Sequence, residues 1–153
     1  MDQIILGQKD SGNDTVRLLR QCDSGVKMGI SSIEDVLDDV QSRELYSGLR
    51  DSLQEHHRLE KETRALLRDL GEPDRDPPAM ARGMSKIKTE LKMMTENKDA
   101  AVADLIVDGC NMGVKSLSKY LNQYQAADTQ SRDIAKKLIA MESDLSMQMR
   151  SYL

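Results

Sequence analysis

Apolar residues recur along most of the chain at alternating steps of three and four, the spacing that lays one stripe along an α-helix. The first stripe is Val16, Leu19, Asp23, Val26, Ile30, Ile33, Leu37 and Val40, apolar everywhere except Asp23. The second is Leu45, Leu49, Ser52 with Leu53 beside it, His56, Leu59, Thr63, Leu66 and Leu70. Asn13 or Asp14 is placed to cap the first helix, and Gln41-Ser42 to turn the chain. Gly71, followed by Pro73 and Pro77-Pro78, is placed to end the second helix. Each predicted helix has about 28 residues, or about 42 Å at 1.5 Å per residue. A turn that short makes them antiparallel neighbours.

A different kind of segment follows, over about 71–98. It opens as a Pro- and Asp-rich loop and becomes a Met-rich amphipathic piece carrying Met80, Met84, Ile87, Leu91 and Met94. Thr95 to Asp99 then interrupts the apolar pattern. The reading is a crossover containing its own helix, in preference to one unbroken helix over 79–124. That rod would reach about 69 Å and turn Lys98 inward. A third bundle helix is predicted from about Asp99 to Tyr124, with Val102, Leu105, Ile106, Met112, Leu117, Tyr120 and Tyr124 on its stripe. Gly109 and Gly113, four apart on one face, permit close helix approach. Asp128 or Thr129 caps a fourth helix bearing Ile134, Leu138, Met141, Leu145, Met149 and Tyr152.

The predicted order is helix, short turn, helix, long crossover, helix, short turn, helix. One long connection in a four-helix bundle is the ferritin-like topology, whereas an up-down-up-down bundle has a short second link. The expected fold is therefore an all-α, ferritin-like antiparallel four-helix bundle. A flexible lead over residues 1–12 precedes a single domain over 13–153. Composition agrees: Phe and Trp are absent while Met reaches ten, and a core of Leu, Ile, Val, Ala and Met suits helix packing better than a β-sandwich.

Three stretches carry a family resemblance. They are His56 to Glu62 with Leu66 to Gly71, Ala81 to Lys88, and Ala135 to Glu142 with Met149 to Leu153. The chain resembles small bacterial ferritin-like proteins of uncharacterised function, with spore-coat relatives, from about residue 14 onward. Most of the matches are seam positions that any bundle shares, so the resemblance implies architecture more than activity.

The formal charge of −4 comes with no basic block, which argues against nucleic acid and anionic membrane surfaces as partners. Lys86, Lys88 and Lys92 are the densest basic cluster, but Glu90 and Glu96 interrupt it; it reads as a solvated helix face. No apolar run approaches the ~20 residues of a membrane span, and Met1 to Leu6 does not read as a signal peptide. Cys22 and Cys110 read as reduced thiols, so the expected location is cytoplasmic.

The chemistry most natural to this topology is a di-iron or di-manganese carboxylate centre. It takes one Glu from each of two helices and a Glu-x-x-His from each of the others. The sequence lacks that set. Glu55 is followed at i+3 by Arg58 and Glu142 by Leu145, and the only histidines are the adjacent His56 and His57. Asp23 and His56 both fall on seams within roughly one turn of each other, about 5 Å along the axis. Asp108 and Glu142 are placed to face the same level. These four are the candidate metal residues, for a pared-down mononuclear or poorly occupied site for Fe or Mn. The competing reading is a buried Asp23–His56 pair that fixes helix register. Neither cysteine has an activating histidine nearby in sequence, so neither is expected to be a nucleophile. No Gly-rich phosphate loop is present.

Three functions follow as expectations. The preferred one is a non-catalytic bundle without a cofactor, acting in interaction or assembly as a homodimer or with another protein. The others are a degenerate Fe or Mn redox or storage protein, and a module that opens its crossover to admit a partner helix.

Overall fold

The computed structural model describes residues 2–76 and 96–153, with residues 2–10 as backbone only. Four α-helices account for most of them: α1 (Asp2–Leu37), α2 (Arg43–Asp69), α3 (Lys98–Gln123) and α4 (Thr129–Met149). A short 3₁₀ turn, Arg150–Tyr152, follows α4. Among the described residues there is no strand. The helical segment expected between Met80 and Met94 lies outside the described residues.

Local chemistry sets most of the boundaries. Ser42 caps α2 by accepting from the Leu45 backbone N–H, and Asp128 caps α4 by accepting from that of Ser131. Asn97 caps α3 with φ 44°, a left-handed conformation that Asn tolerates better than most side chains. The chain thus breaks at Asn97 and is not one rod over 79–124. Gly71, at φ 74°, ends α2 in a Schellman motif. Its N–H donates to Arg68 O, while that of Glu72 donates to Leu67 O.

The start of α1 differs from expectation. It begins at Asp2, so residues 2–12 are helical and Asn13 and Asp14 lie inside the helix. Packing of the later turns nucleates the helix, and each residue added backward then gains one hydrogen bond. That gain outweighs the cost of Gly7 and Gly12, about 1 kcal/mol each relative to Ala. Asp14 and Thr15 instead receive the backbone N–H groups of Ala126 and Asp128.

These bonds fix the helix directions. The N-terminal half of α1 meets the α3–α4 turn, and the end of α2 lies beside it through Arg20 to Glu72. At the other end of α1, the Asp99 carboxylate receives the N–H groups of Gln41 and Ser42. So α1 is antiparallel to both α2 and α3, and α4 packs against the other three helices.

The core forms in two halves. One gathers Ile33, Val36, Leu45, Leu49, Val102, Ile106, Leu145 and Met149; the other gathers Leu18, Cys22, Val26, Leu59, Leu117, Ile134 and Leu138. Each fully buried Leu or Ile contributes about 1.5–3 kcal/mol relative to an exposed one. Leu53 packs against both halves. Two seam details depart from the predicted stripes. Leu67, not Leu66 or Leu70, is the buried residue near the end of α2, and Met112 on α3 is exposed.

Candidate functional site

Between the two core halves, α2 and α4 each contribute a polar side chain to the interior. His56 is fully buried and Glu142 nearly so, at 0% and 8% exposure. His56 Nε2 lies 2.7 Å from Glu142 Oε1, and His56 Nδ1 lies 2.7 Å from the Ser52 carbonyl oxygen. A carbonyl only accepts, so Nδ1 carries a hydrogen. The Nε2–carboxyl contact therefore holds a single proton, as imidazolium with carboxylate or imidazole with carboxylic acid. Burial opposes the charged ring. The Glu142 carboxylate, the Ser52 carbonyl and the field of Glu55 outweigh it, and the His56 pKa lies above its ordinary value. Cys110, on α3, lies close enough to Glu142 for the carboxylate to push its thiol pKa up, adding to the effect of burial.

The backbone of α1 makes room for the ring. A Cβ on Gly29 would lie 2.8 Å from His56 Cδ2 and 2.9 Å from Nε2. Beside the pair, a cavity of about 240 Å³ opens between α1 and α3. Gly25 and Gly29 face it from one side, and Gly109 and Gly113 from the other. His56, Glu142 and Cys110 line its wall together with Leu105, Ile106 and Leu138.

The four residues singled out in the sequence do not meet. His56 and Glu142 come together, but Asp23 and Asp108 do not join them. Asp23 pairs with Lys27 at 2.9 Å, one turn along α1, and both are buried. Asp108 is exposed, two residues from inward-facing Cys110 and so on the outer face of α3. The expected Asp23–His56 pair is thus replaced by two separate pairs. The residue level with His56 is Gly29, six positions and about 9 Å along the axis from Asp23.

Sequence reasoning missed Lys27, which also binds Asp74 Oδ1 and the Arg75 carbonyl oxygen, each at 2.6 Å. Burial pulls the Lys27 pKa down, but Asp74 and Asp23 outweigh it and the net shift is upward. Asp74 is held below the usual carboxylate range, mainly by the Lys27 hydrogen bond. The i, i+4 spacing of Asp23 and Lys27 was a visible signal for half of this cluster. Nothing in the local sequence points to Asp74.

Burial and Glu142 raise the Cys110 pKa, and its thiol faces the acid, which is the opposite of nucleophile activation. The dinuclear centre expected of the predicted topology does not fit these side chains. Opposite His56 and Glu142, α1 presents Gly29 and α3 presents Gly113 and Cys110, where that centre takes carboxylates. Among the described residues no group of three or more His, Cys, Asp or Glu side chains is arranged to hold a metal ion.

No helix among the described residues is long and apolar enough to cross a membrane. No family model matches the chain, and no curated protein matches it. Its fold is similar to the crystal structure of a DUF305 fragment from Deinococcus radiodurans, with a TM-score of 0.67 and 93% of each chain covered. The two sequences are 14% identical, so the similarity establishes an all-α four-helix fold and nothing of activity.

Proposed function

We propose that the protein is a non-catalytic, ferritin-like helical bundle that works through interaction or assembly, with a second copy of itself as the first partner to test. The observation that carries this reading is how the buried ionisable groups use their bonds. His56 is committed to Ser52 and Glu142, and Asp23 to Lys27. Two features support the ferritin-like part. The end of α2 and the start of α3 lie at opposite ends of α1, which suits a long crossover. The buried acid–imidazole pair also spans two helices, as ligands do in that class. Support for assembly comes from exposed apolar side chains. Tyr46, Met147 and Leu153 are 40%, 61% and 60% exposed, and they lie at the end of the bundle where α2 starts and α4 finishes. A cytoplasmic location suits the two free cysteines.

The experiment is solution mass by light scattering together with Fe and Mn analysis on the same preparation. A discrete oligomer without stoichiometric metal is expected. A monomer at every concentration overturns the assembly role. An equivalent of Fe or Mn per chain restores the storage or redox reading.

A further inference from the structure

We propose that the cavity between α1 and α3 is a binding site for a small amphiphile, a short aliphatic chain ending in a primary ammonium group. The cavity exists because side chains are missing from facing helices. Gly29 is needed to clear His56, but the other three glycines clear nothing so close. A Cβ would meet Leu138 at 3.5 Å from Gly25, Glu142 at 3.8 Å from Gly113, and, among the described residues, no atom within 4 Å from Gly109. Those are ordinary contacts or open space. The chain's own packing therefore tolerates side chains where it keeps a void of about 240 Å³.

The walls and the polar patch define the ligand. Ile33, Leu105, Ile106, Leu117, Leu138 and Leu145 supply an aliphatic lining suited to a hydrocarbon body. Two exposed methionines, Met28 and Met112, line the cavity as well and give it adaptable edges. Among the described residues no Lys or Arg lines it, and Glu142 is its sole carboxylate. A carboxylate head would meet that acid, whose one charge partner among the described lining residues, the His56 ring, is already bonded to it. An ammonium head replaces the His56 proton as the partner of Glu142, and the released proton goes to solvent. The site is independent of whether the bundle assembles, so the two readings fail separately.

The test titrates the full chain with n-hexylamine, n-hexanol and n-hexanoate, following amide and His56 ring shifts by NMR. Hexylamine is expected to bind at least about tenfold more tightly than the other two. Gly109→Leu, which fills the void, is expected to abolish binding with the fold intact by circular dichroism. Glu142→Gln, which keeps the shape, is expected to remove the preference for the amine. No saturable shift with any probe up to about 10 mM overturns the site. Binding that survives Gly109→Leu places the ligand elsewhere and also overturns it. Hexanol or hexanoate binding as tightly as hexylamine overturns the assignment of the head group.

Discussion

The α-carbon of Gly29 lies so close to the His56 ring that a methyl group there would sit 2.8 Å from Cδ2 and 3.4 Å from Glu142 Oε1. A Gly in a helix interior ordinarily costs about 1 kcal/mol relative to Ala. At this position the ring fills the space that the side chain would occupy. Gly29→Ala is therefore expected to destabilise the bundle by about 1–3 kcal/mol, as overpacking does. Gly109→Ala, with no atom of the described residues near its Cβ, is expected to stabilise it by up to about 1 kcal/mol. Urea unfolding of the two variants checks the contrast. Equal effects of the same sign would mean that Gly29 does not shape the pair.

That pair explains how far the sequence was legible. The stripes placed Leu19, Val26, Ile30, Ile33, Leu45, Leu49 and Leu59 in the core, and all are buried. Helical periodicity reports a face, and a face needs no partner to be recognised. Which polar seam residues meet depends on axial register, which periodicity does not carry. Pairing α1 with α2 by the position of the turn set Asp23 against His56, when Gly29 is the residue level with it. Glu142 was visible as an inward acid, but its partner belongs to a helix 86 positions away in sequence. Asp108 failed for a local reason, since Ile106 and Cys110 already define the buried face of α3.

Removing one member of the His56–Glu142 pair leaves the other buried and unpartnered. His56→Leu or Glu142→Leu alone is expected to cost about 3–5 kcal/mol. The double variant is expected to cost less than the sum, and less than the worse single change, because no orphaned polar group remains. A thermodynamic cycle from urea midpoints measures this. A double variant that unfolds more easily than either single one would falsify the view of the pair as structural.

The same pair makes stability fall with pH. In the folded chain the His56 pKa lies above its ordinary value, the cost of burial being outweighed chiefly by Glu142. The folded state then binds the proton more tightly than the unfolded one. Its contribution is complete below the unfolded pKa of about 6.5 and is lost as pH rises through the folded value. Urea midpoints measured from about pH 6 upward are expected to decline more in the wild-type chain than in His56→Gln. Identical slopes in the two proteins would remove His56 as the source.

Both cysteines are expected to resist thiol reagents in the native state. Burial, with a smaller push from Asp23, takes the Cys22 pKa up to about 12, so very little of the reactive thiolate is present at neutral pH. Burial and Glu142 raise Cys110 in the same direction. Reaction with a chromogenic disulfide is expected to proceed only as fast as the bundle opens. In urea two equivalents are expected to react at the rate of a free thiol. Fast native reaction of either cysteine would show that its helix opens locally.

Lys27 offers the sharpest test of how charge is held inside the bundle, because its two carboxylate partners sit in different surroundings. Asp23 is buried and its Oδ1 has no hydrogen-bond partner among the described residues, whereas the Asp74 side chain is 51% exposed. Lys27→Met strands Asp23 in the interior and is expected to cost about 3–5 kcal/mol. Asp74→Asn removes only a solvent-screened partner and is expected to cost at most about 1 kcal/mol. Asp23→Leu combined with Lys27→Met is expected to recover much of the loss, since it leaves no buried charge. The Asp74 variant carries a further signature. Lys27 and Arg20 tie residues 72–75 to α1 through Glu72, the Pro73 carbonyl, Asp74 and the Arg75 carbonyl. Hydrogen exchange over 72–76 is expected to quicken in Asp74→Asn while the α1 core stays protected. If Asp74→Asn lowered global stability as much as Lys27→Met, the energy would lie in the connection and not in the interior pair.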